Sequence, residues 1–197
     1  MSSKSAAVTR AYHHGDLRSA LIEEALRLLE TVQPAVLSLR EIARNVGVSA
    51  TAVYRHFPDK DFLLGAIAER GFELLAKRQR TVALRARGQP AIAALGRAYV
   101  RFALENPGLY RLMFTHRAYA GDSLKDGPQG SAAWMLREQV AVALGPAATE
   151  HSVAVTALRA WSLVHGLSML ILDRQVDRQA GEAMINALIS VEAVGLG

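Results

Sequence analysis

Between Leu37 and Lys60 the chain reads LSLREIARNVGVSATAVYRHFPDK, and this pattern fixes a local topology. Leu39, Ile42, Ala43 and Val46 recur at i, i+3, i+4 and i+7, the spacing of one apolar helix face. Ser38 stands just before that face and Glu41 follows three residues later, as in a capping box. Gly47 falls where the helix must stop, since glycine enters the left-handed conformation without a Cβ penalty. Val48 returns to the core, Ser49 is placed to cap a second helix, and Val53 and Phe57 give that helix its inward side. Ala50, Thr51, Ala52, Tyr54, Arg55 and His56 are left facing outward. Two short helices joined by a tight turn form a helix-turn-helix. In such a unit the second helix lies in the DNA major groove and the first crosses the backbone.

The rest of the chain is expected to be all-α. No segment sustains the period-two alternation of a half-buried strand. Residues 1–12 read as a flexible polar arm. Asp16 is placed to cap a first helix that carries Leu17, Leu21, Ala25, Leu28 and Leu29 on one side. Gln33-Pro34 precedes the two helices above, and Asp59 is placed to cap a longer fourth helix, which spans about residues 59–80. Its expected buried stripe is Phe62, Leu63, Ile67, Phe72 and Leu75. Gly88-Gln89-Pro90 marks the next boundary, and Ile92, Leu95, Tyr99, Phe102 and Ala103 line a helix that ends at Asn106-Pro107-Gly108. Leu109–His116 forms a short helix, 121–130 a loop, and Ser131–Leu144 another helix, stopped by Gly145-Pro146. The next, about Ala147–Leu172, is apolar on two sides. Leu158, Trp161, His165 and Leu172 mark one side; Val153, Ala157, Ala160, Val164, Leu167 and Ile171 mark the other. Such a helix is buried between layers, inside a bundle or against a second subunit. A last helix covers about Arg178–Val194.

Composition excludes several classes. The chain has 197 residues, 51% of them hydrophobic and 21% charged, as in a folded protein. It contains 0 cysteines, so disulfides and thiolate metal sites are ruled out. Met1–Arg10 is polar and lacks the apolar run of a secretory signal. The apolar window Ala160–Leu172 is shorter than the ~20 residues that span a bilayer. The expectation is a cytoplasmic protein. The net charge of +5 suits a polyanionic partner only weakly, because residues 1–80 hold 12 Lys/Arg against 9 Asp/Glu and 81–197 hold 11 against 9. From Lys77 to Arg101 there are seven Lys/Arg and no acid, read either as a solvated face or as an accessory DNA-backbone contact. No glycine-rich phosphate loop, zinc-type His-Glu-x-x-His or nucleophile elbow occurs, so neither an enzyme, a metal site nor a cofactor is expected.

Candidate DNA contacts follow from the outward face. Small residues at Ala50, Thr51 and Ala52 let the second helix approach closely. Thr51 can bond a base or phosphate, and the alanine methyls can meet a thymine methyl. Arg55 can serve a phosphate or a guanine. In the C-terminal half, Tyr99, Phe102, Tyr110, Met113, Phe114, Trp134, Trp161 and Met169 are large and adaptable. They read either as plain core or as the lining of a ligand cavity. His165 reads either as a polar handle in that cavity or as a core histidine bonded to a backbone carbonyl.

Residues 14–75 resemble the TetR family of bacterial repressors, through LSLREIARNVGVSATAVYRHFPDKDFLL and its Tyr54-x-His56-Phe57-x-x-Lys60 run. The later part resembles the family subgroup known for a Trp-His-Gly signature, through Trp161-Ser-Leu-Val-His165-Gly166 preceded by RFALENPGLYRLMF at 101–114. The resemblance implies an all-α homodimer. It divides into a helix-turn-helix domain at 13–60 and a C-terminal helical bundle at 61–197 for ligand binding and dimerisation. It also implies that Arg40 contacts DNA, and that Tyr54, His56 and Lys60 clamp phosphates, with His56 alternatively packing the helix end. Arg10 and His13 of the arm become possible backbone or minor-groove contacts, and Ser49 joins the DNA-facing set. The expected partners are a palindromic double-stranded DNA operator, a second copy of the chain and a small, largely apolar effector. The alternative is an architectural protein that binds nucleic acid without sequence choice.

Overall fold

The computed structural model describes residues 17–85, 87–116 and 128–188. Asp16, Arg10, His13, most of the 121–130 loop and the chain beyond Leu188 lie outside the described residues.

Nine α-helices occur among the described residues, and no strand. They are α1 Leu17–Leu28, α2 Leu39–Val46, α3 Ala50–His56, α4 Lys60–Ala83, α5 Gln89–Glu105, α6 Pro107–Thr115, α7 Ala132–Leu144, α8 Glu150–Leu172 and α9 Arg178–Leu188. Their ends are set by local chemistry. The Ser38 hydroxyl accepts from the Glu41 N–H at 3.4 Å, Ser49 from Ala52 at 3.2 Å and Asp59 from Phe62 at 3.0 Å. Each satisfies an N–H that the first turn of a helix leaves without a partner. Gly47 takes φ +80° and closes α2 through its N–H to the Ala43 and Arg44 carbonyls. Ser131 caps α7, and Thr149 with Ser152 forms a capping box on α8. That box begins α8 at Glu150, three residues later than the sequence suggested, after a 3-10 turn at Gly145–Ala147.

α1–α3 pack as a three-helix unit around Leu21, Ala25, Ile42, Val53 and Phe57. α4 leaves it and packs on α1, α5, α6 and α7. One hydrophobic cluster runs from Leu21 through Ile67 and Tyr110 to Ile185, so the two halves share apolar contact along α4 and α6. A second cluster, around Ile92, Val140, Val153, Ala157 and Ala160, seals α5, α7 and α8.

Two expected core residues are on the surface. Phe62 is 63% exposed, because it occupies the first turn of α4, where the face toward α1 belongs to Leu63, Ala66 and Ile67. Leu158 is 48% exposed, on the side of α8 turned away from α5 and α7. The other side of α8, from Val153 to Ile171, is buried as expected. α8 also continues upstream of the apolar window. At 23 residues with mean hydropathy 1.4 over its best window, it meets the length and composition of a membrane span. It carries Glu150, His151 and Arg159 and packs against α5, α7 and α9, as a bundle's central helix does.

Candidate functional site

The outward face of the helix-turn-helix is built as its sequence implies. Thr51, Tyr54, Arg55 and His56 are exposed on α3, and Arg40 is exposed at the start of α2. Ala50 is exposed and Ala52 half-buried, so little side-chain bulk stands between the α3 backbone and a groove. The Ser49 hydroxyl is occupied as the α3 cap. Lys60 is half-buried, and its ammonium donates to the Ala35 carbonyl in the turn before α2. α2 is tied to α1 by Asn45, which donates to Glu24 at 2.7 Å, while Arg27 holds the Glu24 carboxyl below its usual range. Arg18 escaped the sequence reading. Its guanidinium stacks over the Phe57 ring at 5.5 Å, beside the end of α3. The signal was a lone arginine one residue into α1, uninformative without the fold.

The basic stretch divides. Arg78 pairs with Glu105, and Arg80 donates to the Gly130 carbonyl. Both lie more than ~25 Å along α4 from Lys60, at 1.5 Å per residue. This end of the stretch is tied into the bundle's surface.

In the C-terminal half, residues from three helices converge on His165. The hydroxyls of Tyr99 on α5 and Tyr110 on α6 stand 3.0 and 2.8 Å from His165 Nδ1 on α8, and 3.1 Å from each other. Trp161 Nε1–H donates to the Tyr99 hydroxyl at 3.1 Å. Nδ1 and the two hydroxyl oxygens form a closed triangle, in which the two tyrosine protons serve at most two of the three contacts when Nδ1 is the acceptor. His165 therefore bonds to tyrosine hydroxyls and not to the backbone carbonyl of the core-histidine alternative. Burial lowers the His165 pKa below its ordinary 6.5 and raises that of Tyr99 to about 12. Burial also raises Tyr110, helped by the neighbouring Tyr99 hydroxyl. All three are uncharged at neutral pH.

Aromatic rings enclose this network. Phe114 meets His165 edge-on at 4.6 Å, Tyr110 at 5.1 Å and Phe72 of α4 at 5.4 Å. Trp161 lies 6.3 Å from Phe114. Phe102, Met113 and Met169 belong to the same hydrophobic cluster. Trp134 does not join. It is half-buried on α7, and no ring contact or side-chain hydrogen bond among the described residues links it to the others.

α6 carries this network to the DNA-facing unit. Tyr110 and Phe114 project into the network, while Gly108 abuts the end of α1, where an added Cβ would stand 2.8 Å from the Leu29 carbonyl oxygen. At its other end His116 Nε2 lies 3.1 Å from Asp61 in the first turn of α4.

Comparison with known proteins agrees with this architecture. Residues 21–67 match the family model described as bacterial regulatory proteins, tetR family. Residues 92–191 match that described as the tetracyclin repressor-like C-terminal domain. A Rhodococcus sp. RHA1 protein of unknown function is 30% identical at TM-score 0.70, over 91% of this chain and 95% of its own. A tetR-family transcriptional regulator from Streptomyces coelicolor is 21% identical at TM-score 0.64, over 90% of this chain and 79% of its own. A single-substitution variant of TetR from Acinetobacter baumannii AYE, solved in complex with minocycline, is 16% identical at TM-score 0.59, over 87% of this chain and 93% of its own. With one model covering more than half of the chain and the other its helix-turn-helix, this protein belongs to the TetR family of bacterial regulatory proteins.

Proposed function

We propose that the protein is a ligand-responsive, DNA-binding transcriptional repressor, released from a palindromic operator by a small, uncharged and largely apolar effector. The observation that carries this is one helix, α6, which gives Tyr110 to a buried polar network, abuts Leu29 of the DNA-facing unit at Gly108 and meets Asp61 at the start of α4. The minocycline complex of the Acinetobacter protein, which shares this fold, supports a small-molecule effector.

In this reading 13–60 is the DNA-binding domain, 61–197 the sensing and dimerisation domain, and α4 the helix between them. Arg40, Thr51 and Arg55 read bases, with Ala50 and Ala52 against thymine methyls. Tyr54, His56, Lys60 and the backbone around Ser49 orient the protein on phosphates, which positions it without reading sequence. Lys60 is held ready by the Ala35 carbonyl. Two copies pair through α8 and α9, where Leu158, Leu170 and Met184 are about half exposed on the single chain. The protein works in the cytoplasm, on the chromosome.

The effector enters among Tyr99, Phe102, Tyr110, Phe114, Trp161 and His165, with Met113 and Met169 at its margins. No carboxylate, guanidinium or ammonium takes part in that network among the described residues, so an uncharged molecule fits it best. Entry displaces Tyr110 or Phe114, and α6 carries the displacement to Leu29 and Asp61. Operator half-sites lie ~34–36 Å apart, so a small change in the separation of two α3 helices loses one of them. The effector must bind the DNA-incompetent arrangement more tightly, or the equilibrium stays where it was.

The test is affinity selection of fragmented genomic DNA by the purified protein, sequenced in the presence of competitor. A short inverted repeat near a few promoters is the expected result. Recovery of DNA without preferred sequence would leave the architectural alternative standing instead.

A further inference from the structure

Among the described residues, two buried side-chain polar atoms have no hydrogen-bond partner, Gln79 Oε1 on α4 and Arg137 Nη1 on α7. Gln79 is 4% exposed. Its amide N–H donates to the Leu95 carbonyl of α5 at 3.1 Å. Only the nitrogen can donate to a carbonyl, so the amide orientation is fixed and the unpartnered atom is the oxygen. Leu95 sits inside α5, where the helix already supplies its carbonyl with a donor, so the bond from Gln79 is additional. A leucine at 79 would continue the stripe of Leu75 and Ala76 without burying an unpaired acceptor, the costly alternative. The Gln79 nitrogen ties α4 to α5, and its oxygen has no evident structural task.

Its position relates it to the polar network. Phe72, Ala76 and Gln79 fall at i, i+4 and i+7 on one stripe of α4. Phe72 rests edge-on against Phe114 of the network, and Ala76, with only a methyl, separates it from Gln79. On α5, Leu95 lies one turn from Tyr99. Gln79 thus stands ~10 Å along α4 from the aromatic end, seven residues at 1.5 Å each.

We infer that Gln79 Oε1 is a second polar contact of the effector site, and that the effector is an uncharged molecule that donates an N–H or O–H to it. This rests on the proposed sensing role of the network. It narrows that role from an apolar effector to one with a hydrogen-bond donor at one end. Arg137 does not make the same case for an anion, because its guanidinium is already paired with Glu150 at the start of α8.

The test uses the full chain and matched probes that differ only in the donor: indole against 1-methylindole, and 1-naphthol against 1-methoxynaphthalene. The anion 1-naphthoate serves as a charged control. Binding is read by calorimetry and by quenching of Trp134 and Trp161 fluorescence, on the wild type and on Gln79→Met. Gln79→Met removes the unpaired acceptor with little change of volume, so its melting temperature is expected to equal or exceed that of the wild type. The donor probes are expected to bind the wild type at least tenfold more tightly than their methylated partners, and that preference is expected to vanish in Gln79→Met. Equal affinity within each pair, a preference that survives in Gln79→Met, tightest binding of 1-naphthoate, or binding of no probe would each overturn the inference. Specific operator binding by the unliganded wild type is measured separately. Its absence defeats the repressor reading while leaving a donor preference at Gln79 intact.

Discussion

Gly108→Ala tests whether α6 presses on the DNA-facing unit. The added Cβ would stand 2.8 Å from the Leu29 carbonyl oxygen and 3.8 Å from its carbon. The obstacle is backbone at the end of α1, so no side chain can swing aside. Ordinary contact begins at 3.4 Å, so α6 and α1 must part by about 0.6 Å. Forcing an extra carbon into packed structure costs ~1–3 kcal/mol, and replacing glycine by alanine in a helix returns up to ~1 kcal/mol. The net expectation is a loss of ~1–2 kcal/mol, or a melting temperature lower by about 2–8 °C for a chain of this size. The assay is urea and thermal unfolding at one fixed protein concentration, since any dimer stability depends on it. Operator affinity measured alongside is expected to change as well, because the separation falls between the two functional units. If Gly108→Ala unfolds within ~0.5 kcal/mol of the wild type, the usual scatter of neutral surface changes, then α6 does not bear on α1 and the proposed coupling route is wrong.

Three further outcomes are expected. Burial lowers the His165 pKa in the folded state, so the unfolded chain takes up the proton first as pH falls. Its contribution is therefore fully present above about 6.5 and declines as pH drops below that value toward the folded pKa. His165→Gln should flatten this part of the stability profile, and an unchanged acid slope would place the titration elsewhere. Lys60→Ala should weaken binding to all DNA sequences and reduce the salt slope by about one phosphate contact. An intact slope would confine Lys60 to its bond with Ala35. At Gly166 an added Cβ meets nothing within 4 Å in the single chain, so Gly166→Ala should stabilise α8 by up to ~1 kcal/mol. Destabilisation instead, growing with protein concentration, would show that a second subunit packs closely at that position.

The helix-turn-helix was legible because its determinants are local. Ser38, Gly47, Ser49 and Asp59 each bond within five residues of themselves, and the apolar spacing between them repeats with the helix. The inward stripe of α5, from Ile92 to Ala103, was legible for the same reason. The polar network around His165 was legible only as a set of residue types. Tyr99 and His165 are 66 positions apart and Tyr110 and His165 55, so no spacing in the chain announces their hydrogen bonds. Phe62 and Leu158 show the complementary failure. Each suits a buried stripe by hydrophobicity, yet which side of a helix meets a neighbour depends on where that neighbour lies.

By itself, then, the sequence determined an all-α architecture, most of the helix ends among the described residues, the outward face of the helix-turn-helix and the family. Helix periods, caps and turns are short-range interactions written within a few residues. The tertiary structure decided that His165 bonds to tyrosines, that Trp134 stands apart, that Gln79 keeps a buried oxygen unpaired, and that Gly108 lets α6 touch α1. Each of these depends on how closely and at what angle distant helices approach, and that is settled by packing the whole core at once.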